Sequence, residues 1–463
     1  MTAPAMPNVP VTPELAPLAA WVAGYRADPQ DAGMRSRLRT TLLDWVSALI
    51  AGLGHPLHAR YRAALLRGDE TGPCRIIGET GGHPLAQAAS LHAAISHFWE
   101  VDDAHRDSTT HPGITVVPAV LAVAEARALD AATTAAAIVA GFETVLRIGS
   151  HLGSEHYRVN HSTATAGTLG AAVGAARALG LDAQGALNAL GHAGTQAGGL
   201  WAFLDDGVTE AKAFHAAMAV RNGLAAAHMA EAGIASAPRI LEAPRGMRAA
   251  WKLESCDAAW LYPGDSEMIH TVTVKGWPVC GQMHSALDCA NALAGDLLAA
   301  GDGPVTVHLP QSALAIAGVE NPQTVTEAKF STSFCIAATL LGRPPTLTGL
   351  TEDLLADPAI RARAAQVRLA EEPVFTARFP RERPARVTLH GPQDVSEERA
   401  YRRGDPEVPW SDDDMTHRTT EVLALTEWSC DAARLVAWAD SFAALSPDWR
   451  ATSLHDLVAA PRP

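Results

Sequence analysis

Aromatic residues are scarce in this chain of 463 residues, at 5% of the total, and charged residues reach only 19%. With 48% hydrophobic residues, the interior must be large and filled with small aliphatic side chains. Alanine dominates that fraction and is the strongest helix former, so closely packed helices are expected. The six cysteines, Cys74, Cys256, Cys280, Cys289, Cys335 and Cys430, include no CxxC pair. That removes the usual zinc and dithiol signatures. The leader MTAPAMPNVPVTPE lacks a charged n-region and a continuous apolar stretch, so no secretion signal is read there. A reduced, cytoplasmic protein is the expectation. Lysine and arginine form no stripe and the net charge is -14, which disfavours nucleic acid as a partner. The apolar stretch 163–180 carries Arg177 and small side chains, so a buried helix is expected there and no membrane span. A phosphate loop, a nucleotide fingerprint and a nucleophile elbow are all missing. The glycines at 167, 170 and 174 lie inside a helix pattern with no strand before them.

What is present is organised in two styles. Apolar residues recur at helical spacing in 13–65, 85–99, 116–128, 131–151, 163–179, 186–199 and 211–233. The row Gly167, Gly170 and Gly174 should let another helix backbone approach closely. From 268 onward, β-branched residues alternate in 270–275, 304–309, 366–369 and 385–390, with helical patterns at 285–300 and 329–341. The turn-rich segment 402–409 follows, and 412–457 reads as helical again. The expected architecture is mainly α. A helical domain spans 1–267, a smaller α+β domain 268–405, and 406–463 packs back on the helical part.

The densest chemistry is Glu100-Val-Asp102-Asp103-Ala-His105-Arg-Asp107-Ser-Thr-Thr-His111, four carboxylates and two imidazoles at a helix end. Such concentrations of charge are costly to bury and often mark sites of proton movement. A solvated helix terminus with ordinary loop charges is the plain alternative. The spacing fits no specific zinc signature. His161 stands just before the glycine-rich helix, where Ser162 or Thr163 could serve as cap. Lys212 opens a helix of small residues, and Lys275 precedes a Trp-Pro turn, Cys280 and His284. A lysine in apolar surroundings can anchor a carboxylate or exchange a proton.

In the order and spacing of these motifs the chain resembles the MmgE/PrpD family. The resemblance rests on Glu-Val-Asp-Asp-Ala-His with Thr110-His111-Pro112, on His161 before Gly167-Thr-Leu-Gly170, and on Lys212-Ala-Phe-His215. It rests also on Lys275-Gly-Trp-Pro-Val-Cys280 with His284, on Glu327-Ala-Lys-Phe-Ser331 and on Gly404-Asp-Pro-Glu407. The family includes 2-methylcitrate dehydratases, cis-aconitate decarboxylases and iminodisuccinate epimerases. The resemblance implies a large all-helical domain, a smaller α+β lid, a homodimer and a cofactor-free site between the domains. It implies catalytic positions at Glu100, His111, His161, Lys212 and Lys275, and substrate contacts at Asp103, His105, Cys280 and His284. Three departures stand out. Glu100 replaces a usual aspartate, Ala104 a usual threonine, and Phe334 stands where a tyrosine can occur.

The expected activity is a cofactor-independent lyase on a small di- or tricarboxylate, with His161 or Lys212 as base and His111 or a protonated Glu100 as acid. An epimerase of an iminodisuccinate-like acid is the alternative. A noncatalytic binding protein and a metal hydrolase are the readings from other classes.

Overall fold

The computed structural model describes residues 12–459 apart from 69, 265, 297–302 and 347–348. Its helical part begins with α1 (Ala16–Gly24), α2 (Ala32–Leu53), α3 (His58–Leu65) and α4 (Leu85–Ile95). The next helices are α5 (Gly113–Arg127), α6 (Ala131–Tyr157), α7 (Ser162–Ala178), α8 (Ala183–Gly194) and α9 (Lys212–Glu231). Asp31, Asp130 and Asp182 accept hydrogen bonds from the first turns of α2, α6 and α8, which starts those helices sharply. The centre is α7, nearly all of it buried and flanked by α5, α6, α8 and α9. The glycine row does what its spacing suggested. A Cβ at Gly170 would fall 2.9 Å from the Gly141 carbonyl oxygen on α6 and closer still to Val145. Among the described residues, α6 alone is long and apolar enough to cross a membrane, and 89% of its apolar stretch is buried inside the protein.

The smaller part is a four-stranded sheet carrying helices. The strands are β1 (Val305–Leu309), β2 (Val367–Glu371), β3 (Ala385–Leu389) and β4 (Val395–Arg399), in the order β2-β1-β3-β4. β1 pairs parallel with β2 and antiparallel with β3, with Val307 opposite both Leu369 and Val387. Helices α10 (His284–Leu293) and α11 (Thr332–Leu340) cover it. The helical pattern expected over 285–300 runs in part outside the described residues. β4 reads Val-Ser-Glu-Glu-Arg, a charged edge strand without the apolar alternation that marks the other three.

The chain closes with α12 (Asp412–Leu423) and α13 (Ala432–Ala443), both packed on α2. One apolar core therefore takes residues up to Val274 and again from Met415, and a second takes Val279 to Leu389. The strand expected over 270–275 does not form. A short 3₁₀ turn, Met268–Thr271, stands in its place. Only Thr273 makes a β-bridge, to Ala104. The reason is competition for carbonyls. The Arg37 guanidinium takes those of His270 and Val272 at 3.0 and 3.1 Å, and Trp410 takes that of Val274.

Candidate active site

The end of α4 delivers the acidic run. After Ser96 the chain turns, and Glu100 takes a left-handed backbone conformation with φ of 59°. A non-glycine residue held this way is strained, and such strain clusters at functional sites. The twist aims the carboxylate at two lysines. Lys212 Nζ donates to Glu100 Oε1 at 2.6 Å, and Lys275 Nζ donates to the Glu100 carbonyl at 3.1 Å and to Oε2 at 3.4 Å. Burial pushes the Glu100 carboxyl up, but Lys212 and Lys275 outweigh it and hold it well below the usual carboxylate range.

Behind this pair sits Asp102. Its Oδ2 lies 3.0 Å from His97 Nδ1 and 3.1 Å from His111 Nδ1. Burial opposes its ionisation, yet His97, Lys275 and His111 keep it ionised. His111 Nδ1 also lies 2.7 Å from the Asp103 carbonyl. A ring nitrogen facing two acceptors carries the proton, so the lone pair of His111 is on Nε2. Burial, and then Lys275, depress the His111 imidazole to about 4.

His161 occupies the position before α7, its backbone N–H on the Gly199 carbonyl at 2.8 Å. Neither hydroxyl proposed as a cap serves as one. Thr163 accepts from the His111 N–H, and Ser162 accepts from Thr109. The His161 ring is 6.2 Å from His97, 6.1 Å from His111 and 4.6 Å from Trp201, centre to centre. Its Nδ1 lies 3.2 Å from His215 Nδ1, and its Nε2 is buried with no hydrogen-bond partner. Burial, followed by Lys212, holds it neutral, well below the usual imidazole range.

Glu100, His111, His161, Lys212 and Lys275 are thus brought together, with Cys280 beside them. Burial raises the Cys280 thiol, which feels Lys212, Glu100 and Lys275. His284 is fully buried, with Nε2 on the Val279 carbonyl at 3.0 Å and Nδ1 unpartnered. Asp103 and His105 are used otherwise than expected. The Asp103 carboxyl accepts the Gly113 N–H at 3.0 Å, and burial with the nearby Asp44 raises it well above its ordinary value. His105 spends Nδ1 on Ser108 at 2.8 Å and Nε2 on Thr271 at 2.9 Å. Both hold the loop in shape, and neither offers a free polar atom to substrate. Phe334 lies in the core of the smaller domain under Arg361, so its missing hydroxyl carries no weight on substrate choice.

Several residues escaped the sequence reading. They are His97, Arg383, Tyr157 and Arg418, while Asp102 and Lys329 stand in motifs of the family resemblance without an assigned role. Lys329 lies in Glu327-Ala-Lys-Phe-Ser331, where its neighbours Glu327, Ser331 and Thr332 hide it among ordinary polar residues. Arg418 comes from α12 and donates to the Lys275 carbonyl at 2.9 Å and the Val101 carbonyl at 2.7 Å, tying two site segments to the returning tail. Among the described residues, no group of three or more His, Cys, Asp or Glu is placed to hold a metal ion. A cleft of about 700 Å³ reaches Val101 and Lys275 but is lined by Trp277, Arg403 and Trp410, and none of Glu100, His111, His161 or Lys212 faces it.

Comparison with known proteins agrees with the architecture. Residues 16–254 match the MmgE/PrpD N-terminal domain and residues 277–431 the MmgE/PrpD C-terminal domain. A cis-aconitate decarboxylase of Aspergillus terreus is 26% identical over 59% of this chain and 59% of its own length. A cis-aconitate decarboxylase-like protein, oryM, of Aspergillus oryzae is 30% identical over 51% of each chain. A human cis-aconitate decarboxylase is 24% identical over 63% of this chain and 62% of its own. The chain spans between about half and three-fifths of the length of these curated relatives. With both domains matched in order, and the helical and sheet-bearing parts built as described, the chain belongs to the MmgE/PrpD family.

Proposed function

We propose that the protein is a cofactor-independent lyase, of the decarboxylase or dehydratase type, acting on a small di- or tricarboxylate. One observation carries the reading. Lys212 and Lys275 converge with a neutral imidazole, His161, whose Nε2 is buried and unpartnered. Cations bind carboxylates, and an uncharged imidazole beside them accepts a proton without competing charge.

With its Nδ1–H donated to His215, His161 presents the Nε2 lone pair to a carbon next to a substrate carboxylate. In a dehydration, that carbon loses a proton to His161 and the neighbouring hydroxyl leaves with a proton from Lys212. In a decarboxylation, the C–C bond to the departing carboxylate breaks and its electron pair moves towards a remaining carboxylate. Lys212 then delivers a proton to carbon. In both, negative charge grows where Lys275 and Lys212 already point, and such preorganised charge is a large catalytic term. The acid expected from His111 or a protonated Glu100 moves to Lys212. His111 is neutral with its lone pair on Nε2, and Glu100 is ionised. Glu100 and the Asp102–His111 pair position the lysines.

The test is proton NMR of the purified protein in D₂O with 2-methylcitrate, cis-aconitate and iminodisuccinate isomers. A new alkene or a decarboxylated product is the expected result. Deuterium entering an α-carbon of an intact skeleton would instead establish the epimerase.

A further inference from the structure

The two lysines paired with Glu100 are only part of the positive charge here. Around the loop that carries Cys280 the smaller domain adds Lys329, Arg383 and Arg402, of which Arg402 is paired with Asp405. Lys329 is buried and its carbonyl accepts the Cys280 N–H at 2.9 Å. Its Nζ stands 5.2 Å from the centre of the Trp99 ring, the residue preceding Glu100. Arg383 is buried against the same loop, where a Cβ at Gly281 would lie 3.9 Å from Arg383 Nη1. Among the described residues, neither cation has a carboxylate within ion-pair distance. Their partners are the rings of Trp99 and Phe379. Arg383 Nε, Gln282 Oε1 and His284 Nδ1 are all buried without a hydrogen-bond partner. Two unpaired cations and several unmet polar groups around one loop are expensive in an apolar core unless something polar completes them.

We propose that Lys329 and Arg383 form a second carboxylate subsite, on the lid side of the active site, which holds the carboxylate remote from the reacting carbon. This deepens the lyase reading and rests on it. Lys212 and Lys275 take the carboxylate at the reacting end, and the lid cations require a second one. A substrate with a single carboxylate leaves them as they are in the free protein, so the site selects polycarboxylates by the contact that only they make. Burial lowers the Lys329 ammonium to about 8, so the subsite loses charge on the alkaline side.

Calorimetric titration of the full-length protein tests this with propane-1,2,3-tricarboxylate and with crotonate. Arg383→Gln and Lys329→Met should each weaken the triacid about tenfold or more and leave crotonate unchanged. Lys329→Arg should restore binding and remove its decline above about pH 8. Arg383→Lys, a gentler change, keeps the test open if Arg383→Gln does not fold. Equal weakening of both acids, or of neither, overturns the subsite, as does a wild-type protein that binds neither acid. Triacid binding lost in the lid variants, alongside a wild-type protein that turns over no acid in D₂O, sinks the lyase reading and leaves the subsite standing.

Discussion

Glu100 shows how one residue organises a site. Its left-handed backbone, the Lys212 contact at 2.6 Å and the Lys275 contact to its own carbonyl all depend on one another. Glu100→Gln removes the charge and leaves the buried Lys275 and half-buried Lys212 ammonium groups facing a neutral amide. Breaking a buried pair costs about 3–5 kcal/mol. The variant should therefore melt well below the parent and lose activity at least about 100-fold, read by calorimetry and by turnover. His161→Ala and Lys212→Ala should abolish turnover while circular dichroism stays native. Full activity in both would remove them from the mechanism. At this scale the sequence was partly readable. The acidic run and the isolated lysines stand out because charge is rare around them. Which carboxylate meets which lysine was not readable, because it depends on the twist at Glu100. His97 stands between Ser96 and Phe98 at the end of an apolar helix, and only the fold sets it against Asp102.

At the scale of elements, the close contact of α6 and α7 is the tightest constraint. Gly170→Ala has no room without moving Val145, and overpacking of this kind costs about 1–3 kcal/mol. A drop in melting temperature without a change in substrate affinity is the expected result. Affinity changing as much as stability would show that α7 transmits strain to His161 at its start. The glycine spacing made this contact legible in advance. The missing strand at 270–275 was not legible, since its alternation is genuine. The donor that consumes its carbonyls, Arg37, lies more than 230 residues away. β4 escaped for the opposite reason, its register being dictated by β3 and not by its own residues.

The whole molecule carries an unusual load of buried neutral histidines. Burial depresses His55, His92, His105, His111, His156, His215 and His284 to about 3 or 4. Between about pH 4 and 6.5 the unfolded chain binds protons at these rings that the native chain does not. Stability therefore rises with pH across that window. Asp103, raised well above its ordinary value, Glu143, raised to about 7, and Asp44, raised to about 6, work against it, because the native chain holds their protons longer. The seven histidines outnumber them, so melting temperature should fall steadily from pH 6.5 to 4.5. A flat profile would mean the rings are hydrated. The helical-plus-lid plan was readable from the change in periodicity near residue 268. The return of the tail to pin Lys275 through Arg418 was not, since nothing in Asp412–Leu423 marks that side chain. We further propose that the protein works as a homodimer. Light scattering should return twice the 48.6 kDa chain mass, and a single chain mass would refute it.

The placing of four cations inside a chain of net charge -14 has a kinetic consequence. A polycarboxylate of the kind proposed above would meet repulsion at long range and attraction only once it is within the walls. Salt screens the distant field first and the buried contacts least. Adding salt should thus speed the arrival of the acid in stopped-flow mixing while barely hastening its departure, the reverse of the usual behaviour for oppositely charged partners.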